Sequence, residues 1–279
     1  MIKNMREMTT KDVQRISLDI LKDVHDFCER HNLRYSLSGG TLLGAIRHNG
    51  FIPWDDDIDI QMPRPDYDVF IHSYKTSKGY KVFSSEVDGC ERTRLRLAKV
   101  CDIRSTIVNL GPLRWTDEEV GVGIDVEPCD GAPDNNRTAE KFVNRLISLN
   151  RMKNCYSVRF VSWKEMWKYT SSSRRIKFAI SKIISPFIGK KWWNKYMEHQ
   201  SRYDYNNCNH FIASPHYGIR EWQPKMNMEN FILHKFEDSE FYIMSGWDAN
   251  LRSLYGDYMK LPPENKRISH DFNRYYWKD

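Results

Sequence analysis

Apolar residues recur at helical spacing near the start of the chain: Val13, Ile16, Ile20, Val24 and Phe27. That spacing predicts a helix, capped by Thr9 or Thr10 and running to about His31. Tyr35 to Ser38 reads as a short strand ending in the Gly39-Gly40 turn, and Thr41 to His48 as a helix broken by Asn49-Gly50. From Asp57 to Met62 the period drops to two, with Ile58, Ile60 and Met62 alternating with polar residues. This predicts a strand closed by Pro63 and Pro65, followed by a helix over Asp66 to Tyr74. Tyr80 to Glu86, Arg94 to Cys101 and Thr106 to Leu110 are strand-like, and Gly111 to Glu119 reads as a loop. Val122 to Pro128 is a further strand, and Asp130-Gly131-Ala132-Pro133 reads as a closing turn.

Thr138 to about Asn207 is mainly helical, and the chain from His210 on mixes short strands and turns. The pattern predicts an α+β fold in which a mixed sheet with flanking helices is joined by a mainly helical second region. The expected boundaries are a core over residues 1–133, a helical region over 134–209 and a segment over 210–279 packing back on the core; one continuous domain is the alternative. Ile176, Ile180, Ile183, Ile184 and Phe187 form one stripe, with Arg174, Arg175, Lys177 and Lys182 elsewhere on that helix. Amphipathic helices usually bury such a stripe, so packing on the core is the first reading. Peripheral association with a membrane surface is the second.

The 279 residues carry a net charge of +6, too mild to demand nucleic acid, and no nucleic-acid partner is expected. Six scattered cysteines without a CxxC pair read as reduced thiols of a cytoplasmic protein. Cys208, His210 and His216 match no familiar zinc spacing. Met1 to Thr10 has no apolar core and does not read as a secretory signal, and no apolar run approaches a membrane span. The load of 9 Trp, 15 Tyr and 13 Phe suits a core, and also sites that stack bases or hold cations.

The chemistry centres on Asp55, Asp56, Asp57 and Asp59, four carboxylates within five residues. Side chains at i and i+2 of a strand share a face, about 7 Å apart along it. Asp57 and Asp59 would repel each other there unless a cation sat between them, and oxygen-only ligands suit Mg²⁺ or Mn²⁺. An EF-hand is excluded, because Ile60 stands where that loop needs glycine. Upstream, Ser38-Gly39-Gly40-Thr41 offers backbone N–H groups at a helix start, which suits a phosphate. Asp125 sits in an apolar strand; alone it reads as a carboxylate bonded to backbone, and beside the acid pair it reads as a third metal or proton-accepting group.

These residues carry a resemblance. Ser38 to His48, then Gly50 to Ile60, then Gly123 to Gly131, and the terminal Tyr255 to His270 resemble the LicD family, which includes bacterial phosphorylcholine transferases and is related to the fukutin group. The resemblance is dense over about residues 30–75, while Thr138 to Phe241 shows no matching pattern. It implies a nucleotidyltransferase-like core with Asp57, Asp59 and Asp125 on its catalytic and metal positions. It implies transfer of a phospho-alcohol, best known as phosphocholine, from a CDP-activated donor to a hydroxyl of a glycan or lipid-linked glycan, releasing CMP. Gly39, Gly40 and Thr41 are then candidate phosphate contacts. Arg47, Lys99, Lys266, Arg267 and His270 are candidates around the donor, and Trp54 for stacking. Two rivals remain. A glycosyltransferase also uses Asp-x-Asp, although only 56 residues precede Asp57. A non-catalytic nucleotide or RNA binder is the other.

Overall fold

The computed structural model describes residues 6–87, 97–109, 120–157, 163, 167, 172–213, 215–267 and 273–278. Helix α1 (Thr10–His31) starts as expected. The Thr9 hydroxyl accepts from the Asp12 N–H, and the Asp12 carboxylate accepts from the Thr9 N–H, a reciprocal cap. Val13, Ile16, Ile20, Val24 and Phe27 are all buried against the sheet.

Strand β1 (Ser36–Leu37) leads into α2 (Gly39–His48), so the glycine pair forms the first turn of this helix rather than a separate turn before Thr41. Strand β2 (Asp59–Pro63) is shorter than its alternation suggested, and Asp57 stands in the preceding loop. Pro65 opens α3 (Arg64–Ser73) rather than ending the strand, because proline is tolerated in the first helical turn. Strands β3 (Tyr80–Phe83), β4 (Ala98–Asp102) and β5 (Ser105–Asn109) follow; the start of the expected Arg94 strand and the Gly111 to Glu119 loop lie outside the described residues.

Strand β6 (Gly123–Ala132) runs straight through the expected turn. The reason is pairing with a distant segment: Asp130, Gly131 and Ala132 pair with β7 (His210–Ile212), which pairs with β8 (Trp222–Pro224). Gly131 serves close approach, since a Cβ there would meet the Tyr203 carbonyl oxygen at 2.6 Å.

The sheet order is β1-β2-β6-β4-β3, with β7 and β8 added at the far end of β6. Only β2 and β6 are parallel among these pairings. This mixed sheet with flanking helices is an α+β, nucleotidyltransferase-like fold.

Helices α4 (Asn136–Ser157) and α5 (Ser172–Gln200) make the helical region, packing through Phe142, Val143, Leu146, Leu149 and Tyr196. The α5 stripe does not pack on the core. Ile176 and Phe187 are 73% and 84% exposed, because α5 turns Tyr196 and Ser181 inward instead. Beyond β8 come the hairpin β9 (Phe231–Phe236) and β10 (Ser239–Met244), then α6 (Trp247–Tyr255), a helix where only strands and turns were expected. Strand β11 (Asn273–Trp277) pairs with β5 and takes bonds from the N-terminal segment, including Met8 N–H to the Tyr275 carbonyl at 2.9 Å. Phe236, Phe241, Ile243, Leu251 and Tyr258 join the core built by α1 and the sheet. No helix among the described residues is long and apolar enough to cross a membrane.

Candidate active site

The alternation of β6 divides its side chains. Ile124 and Val126 are fully buried in the core, so Asp125 and Glu127 must face the other way. On parallel β2, Asp59 is the register partner of Asp125, and Gln61 of Glu127. On antiparallel β4, Lys99 is the partner of Asp125 from the other side. Asp59, Asp125 and Lys99 thus form one row across three strands spaced about 4.8 Å apart. Like charges directly opposite in a sheet are destabilising. Lys99 offsets one of them: its ammonium lies 2.6 Å from Asp125. Burial works against the Lys99 charge, but Asp125 more than compensates and holds it above its usual range.

This row opens into a cavity of about 390 Å³. Asp55, Asp57, Asp59, Asp125, Glu127 and Glu221 all line it, with Ser38, Gly39 and Gly40 from the start of α2. Burial, then the charges of Asp57, Asp125 and Glu127, push the Asp59 carboxyl well above the usual range. Burial, then the charge of Asp57 and a hydrogen bond to it, push Asp55 up to about 8. Gly40 leaves room for Asp55, because a Cβ there would stand 2.8 Å from an Asp55 carboxylate oxygen and the side chain would have to shift.

The donor set fits a hard divalent cation. It is all oxygen, and its like charges are crowded enough to drive carboxyls toward the neutral form. Among the described residues, however, no three carboxylate, imidazole or thiol groups are already gathered as a cage, and Asp125 is engaged by Lys99.

The other sequence candidates divide. Gly39 and Gly40 line the cavity, but Thr41 is buried behind it, its hydroxyl accepting from the Asp59 N–H at 2.8 Å. Thr41 therefore positions β2 and does not face a ligand. Lys99 likewise acts on Asp125 and is absent from the lining. Arg47 and Trp54 line an adjoining cavity of about 280 Å³, which shares Leu43, Ile52 and Tyr255 with the first. Arg267 lies over the Trp54 ring at 5.5 Å, and Arg47 donates to the Tyr258 carbonyl at 2.8 Å. Burial, then the charge of Arg267, lowers the Arg47 pKa, and this second cavity is lined by Arg47, Lys260 and Asp257 where the first is lined by six carboxylates. Lys266 is exposed in the short turn Glu264–Lys266 and reaches neither cavity, and His270 lies outside the described residues.

The sequence reading missed several groups. Ser38 is 4% exposed, lines the cavity, and its hydroxyl has no hydrogen-bond partner among the described residues. Glu127 was within reach, being two residues beyond Asp125 on the same face. Tyr217 and Tyr255 meet edge to face at 5.6 Å on the cavity wall beside Glu221. They come from the 3₁₀ segment Pro215–Glu221 and from α6; Tyr255 stands in the resembling Tyr255 to His270 segment, which was the signal that could have found it.

The fold and the acid-lined cavity define a nucleotidyltransferase-like protein, and comparison with known proteins agrees. Residues 32–110 match the family model of the LicD/FKTN/FKRP nucleotidyltransferase domain. Over 277 residues the chain is 32% identical to lipopolysaccharide cholinephosphotransferase LicD of Haemophilus influenzae, covering 98% of this chain and 99% of that protein. Shorter likenesses reach an uncharacterized protein of Rickettsia prowazekii (47% over 47 residues; 17% of this chain, 18% of that protein). Human ribitol 5-phosphate transferase FKRP is 56% identical over 32 residues, 12% of this chain and 6% of that protein. The chain belongs to the LicD family.

Proposed function

We propose that this protein transfers a phospho-alcohol from a CDP-activated donor to a hydroxyl of a cell-surface glycan or its lipid-linked precursor, releasing CMP, and that the alcohol is choline. The observation that carries this reading is the meeting of β2 and β6 carboxylates with the first turn of α2 in one cavity. The likeness to a lipopolysaccharide cholinephosphotransferase along nearly the whole chain supports it.

Asp57 and Asp59, with Asp125, would hold a divalent cation, Mg²⁺ or Mn²⁺, which supplies charge neutralisation at the reacting phosphate. The remaining work falls to the chain itself. The Gly39 and Gly40 N–H groups and the Ser38 hydroxyl would donate to phosphate oxygens. Arg47 and Arg267 offer positive charge to the CMP end in the adjoining cavity, where Trp54 presents an aromatic surface. The Tyr217–Tyr255 corner, with Glu221 beside it, suits a quaternary ammonium through cation–π attraction and opposite charge. In the transfer, the acceptor oxygen forms a bond to the phosphorus distal to cytidine and the bond to the CMP oxygen breaks. The acceptor proton leaves to a carboxylate of the row, and Asp125, paired with Lys99 at 2.6 Å, is the group we assign. Among the described residues Cys28, Cys101, Cys129 and Cys208 are free thiols, which suits work in the cytoplasm.

The test is incubation of the protein and Mg²⁺ with CDP-choline, CDP-ethanolamine and CDP-ribitol, each with lipopolysaccharide oligosaccharide as acceptor. Mass spectrometry of the glycan should show addition of phosphocholine. A glycan gaining ribitol phosphate instead would overturn the choline assignment, and a glycosidic product from a nucleotide sugar would overturn the reaction class.

A further inference from the structure

We propose that the outer face of α5 is a docking surface for a membrane carrying anionic lipid. Ile176, Ile180, Ile183 and Phe187 are 73%, 54%, 60% and 84% exposed. At about 100° per residue they fall in one narrow stripe. The opposite side of α5 is already satisfied, since Tyr196 is buried and Trp192 packs partly against the α4 core. The stripe therefore does not exist to hold the fold together. Four large apolar side chains in water on one helix face make a patch of the kind that marks an interaction surface.

The charges around the stripe choose the occupant. Lys177, Lys190 and Lys191 are exposed, and the helical phase sets them at its margins. On the flank, Arg175 lies 5.2 Å from the Trp167 ring and Lys182 lies 5.5 Å from the Trp163 ring, and both tryptophans are half-exposed. Apolar residues, a lysine border and tryptophans beside cations are what a helix lying in the plane of a bilayer surface needs. The apolar stripe enters the acyl boundary, the rings sit at headgroup level, and the lysine stems lie along the apolar surface with their ammonium groups in the phosphate layer. A second copy of this chain would bring the same border of positive charge against itself. An anionic bilayer neutralises it.

This surface stands apart from the cavity, and vesicle binding needs neither donor nor turnover, so the inference fails or holds independently of the proposed reaction. The experiment is flotation of the full chain with vesicles of phosphatidylglycerol and phosphatidylethanolamine, and with vesicles of phosphatidylcholine alone. The chain should float with the first at least about tenfold more tightly than with the second, and raising salt toward about 1 M should weaken that binding. The Ile180→Glu/Phe187→Glu variant should lose about tenfold or more in binding, with an unchanged circular dichroism spectrum because both side chains are exposed. Lys177→Glu/Lys191→Glu should weaken binding to anionic vesicles alone. No flotation, equal flotation with both lipids, or wild-type binding by the Ile180→Glu/Phe187→Glu variant would overturn the proposal. So would a wild-type dimer, with no lipid binding, that this variant turns into a monomer.

Discussion

Strand β6 carries acids at both ends, and the two ends are built on opposite terms. At its C-terminal end, Asp130 is 1% exposed and fully matched. Arg64 donates to both of its carboxylate oxygens at 2.6 and 2.8 Å, and Gln200 adds a third bond at 2.6 Å. Burial works against the Arg64 charge, but Asp130, Glu86 and Asp68 more than offset it and hold the guanidinium above its usual range. At its N-terminal end, Asp125 has Lys99, but Asp59 beside it is crowded by Asp57, Asp125 and Glu127 and pushed toward the neutral form. One end uses carboxylates to tie α3, β6 and α5 together. The other tolerates electrostatic crowding that contributes nothing to folding, as expected where charge is kept for a ligand.

The comparison can be broken by mutation, and the largest effect belongs to the matched end. Asp130→Ala leaves Arg64 buried without its main partner and should cost about 3–5 kcal/mol in urea unfolding. A loss under about 1 kcal/mol would show that the network is not structural.

At the crowded end the expected signs are reversed. Asp59→Asn should leave Tm unchanged or raised, because a repelling charge is gone, while kcat falls by about 10²–10³. Chelation of divalent metal should abolish turnover in the wild type, and added Mg²⁺ should restore it. A drop in Tm comparable to that of Asp130→Ala would erase the distinction between the two ends.

Arg47→Ala should raise KM for the CDP-linked donor about tenfold to a hundredfold with kcat little changed, the scale of a lost charge-assisted hydrogen bond. Equal loss with donor and with a neutral nucleoside would place Arg47 outside phosphate recognition. The smallest effect is Ser38→Ala. Its hydroxyl has no hydrogen-bond partner among the described residues, so stability should hold while donor affinity falls about two- to tenfold. Isothermal titration with donor would check both numbers.

Much of this contrast was legible in the chain. Alternation puts Asp59 and Asp125 on half-buried strands, as found, but Asp57, expected beside Asp59, stands in the loop before β2. The bracketing glycines announced the helix start. What the alternation could not say is which strands are neighbours. The Asp59–Asp125 register depends on β2 and β6 being paired in parallel, and Arg64 finds Asp130 across 66 residues. The supposed Asp130 turn failed for the same reason, because β7 arrives from residue 210 to extend the strand. Thr41 and Lys99 were read as ligand contacts because their types suit phosphate. Their actual bonds, to the Asp59 N–H and to Asp125, are short-range choices that only the folded backbone decides. For the α5 stripe, periodicity suggests packing on the core first and a membrane surface second, and the exposed side chains rule out the first. Period identifies an apolar face but not what covers it.

The central claim is that the β2–β6 carboxylates perform acceptor-dependent transfer from a CDP-activated alcohol. The most direct measurement is CMP release from CDP-choline in Mg²⁺, with and without glycan acceptor, for the wild type and Asp59→Asn side by side. Release should require the acceptor in the wild type and fall by about 10²–10³ in the variant. Release at the same rate from both proteins, or none from the wild type with any CDP-alcohol and acceptor, would contradict it.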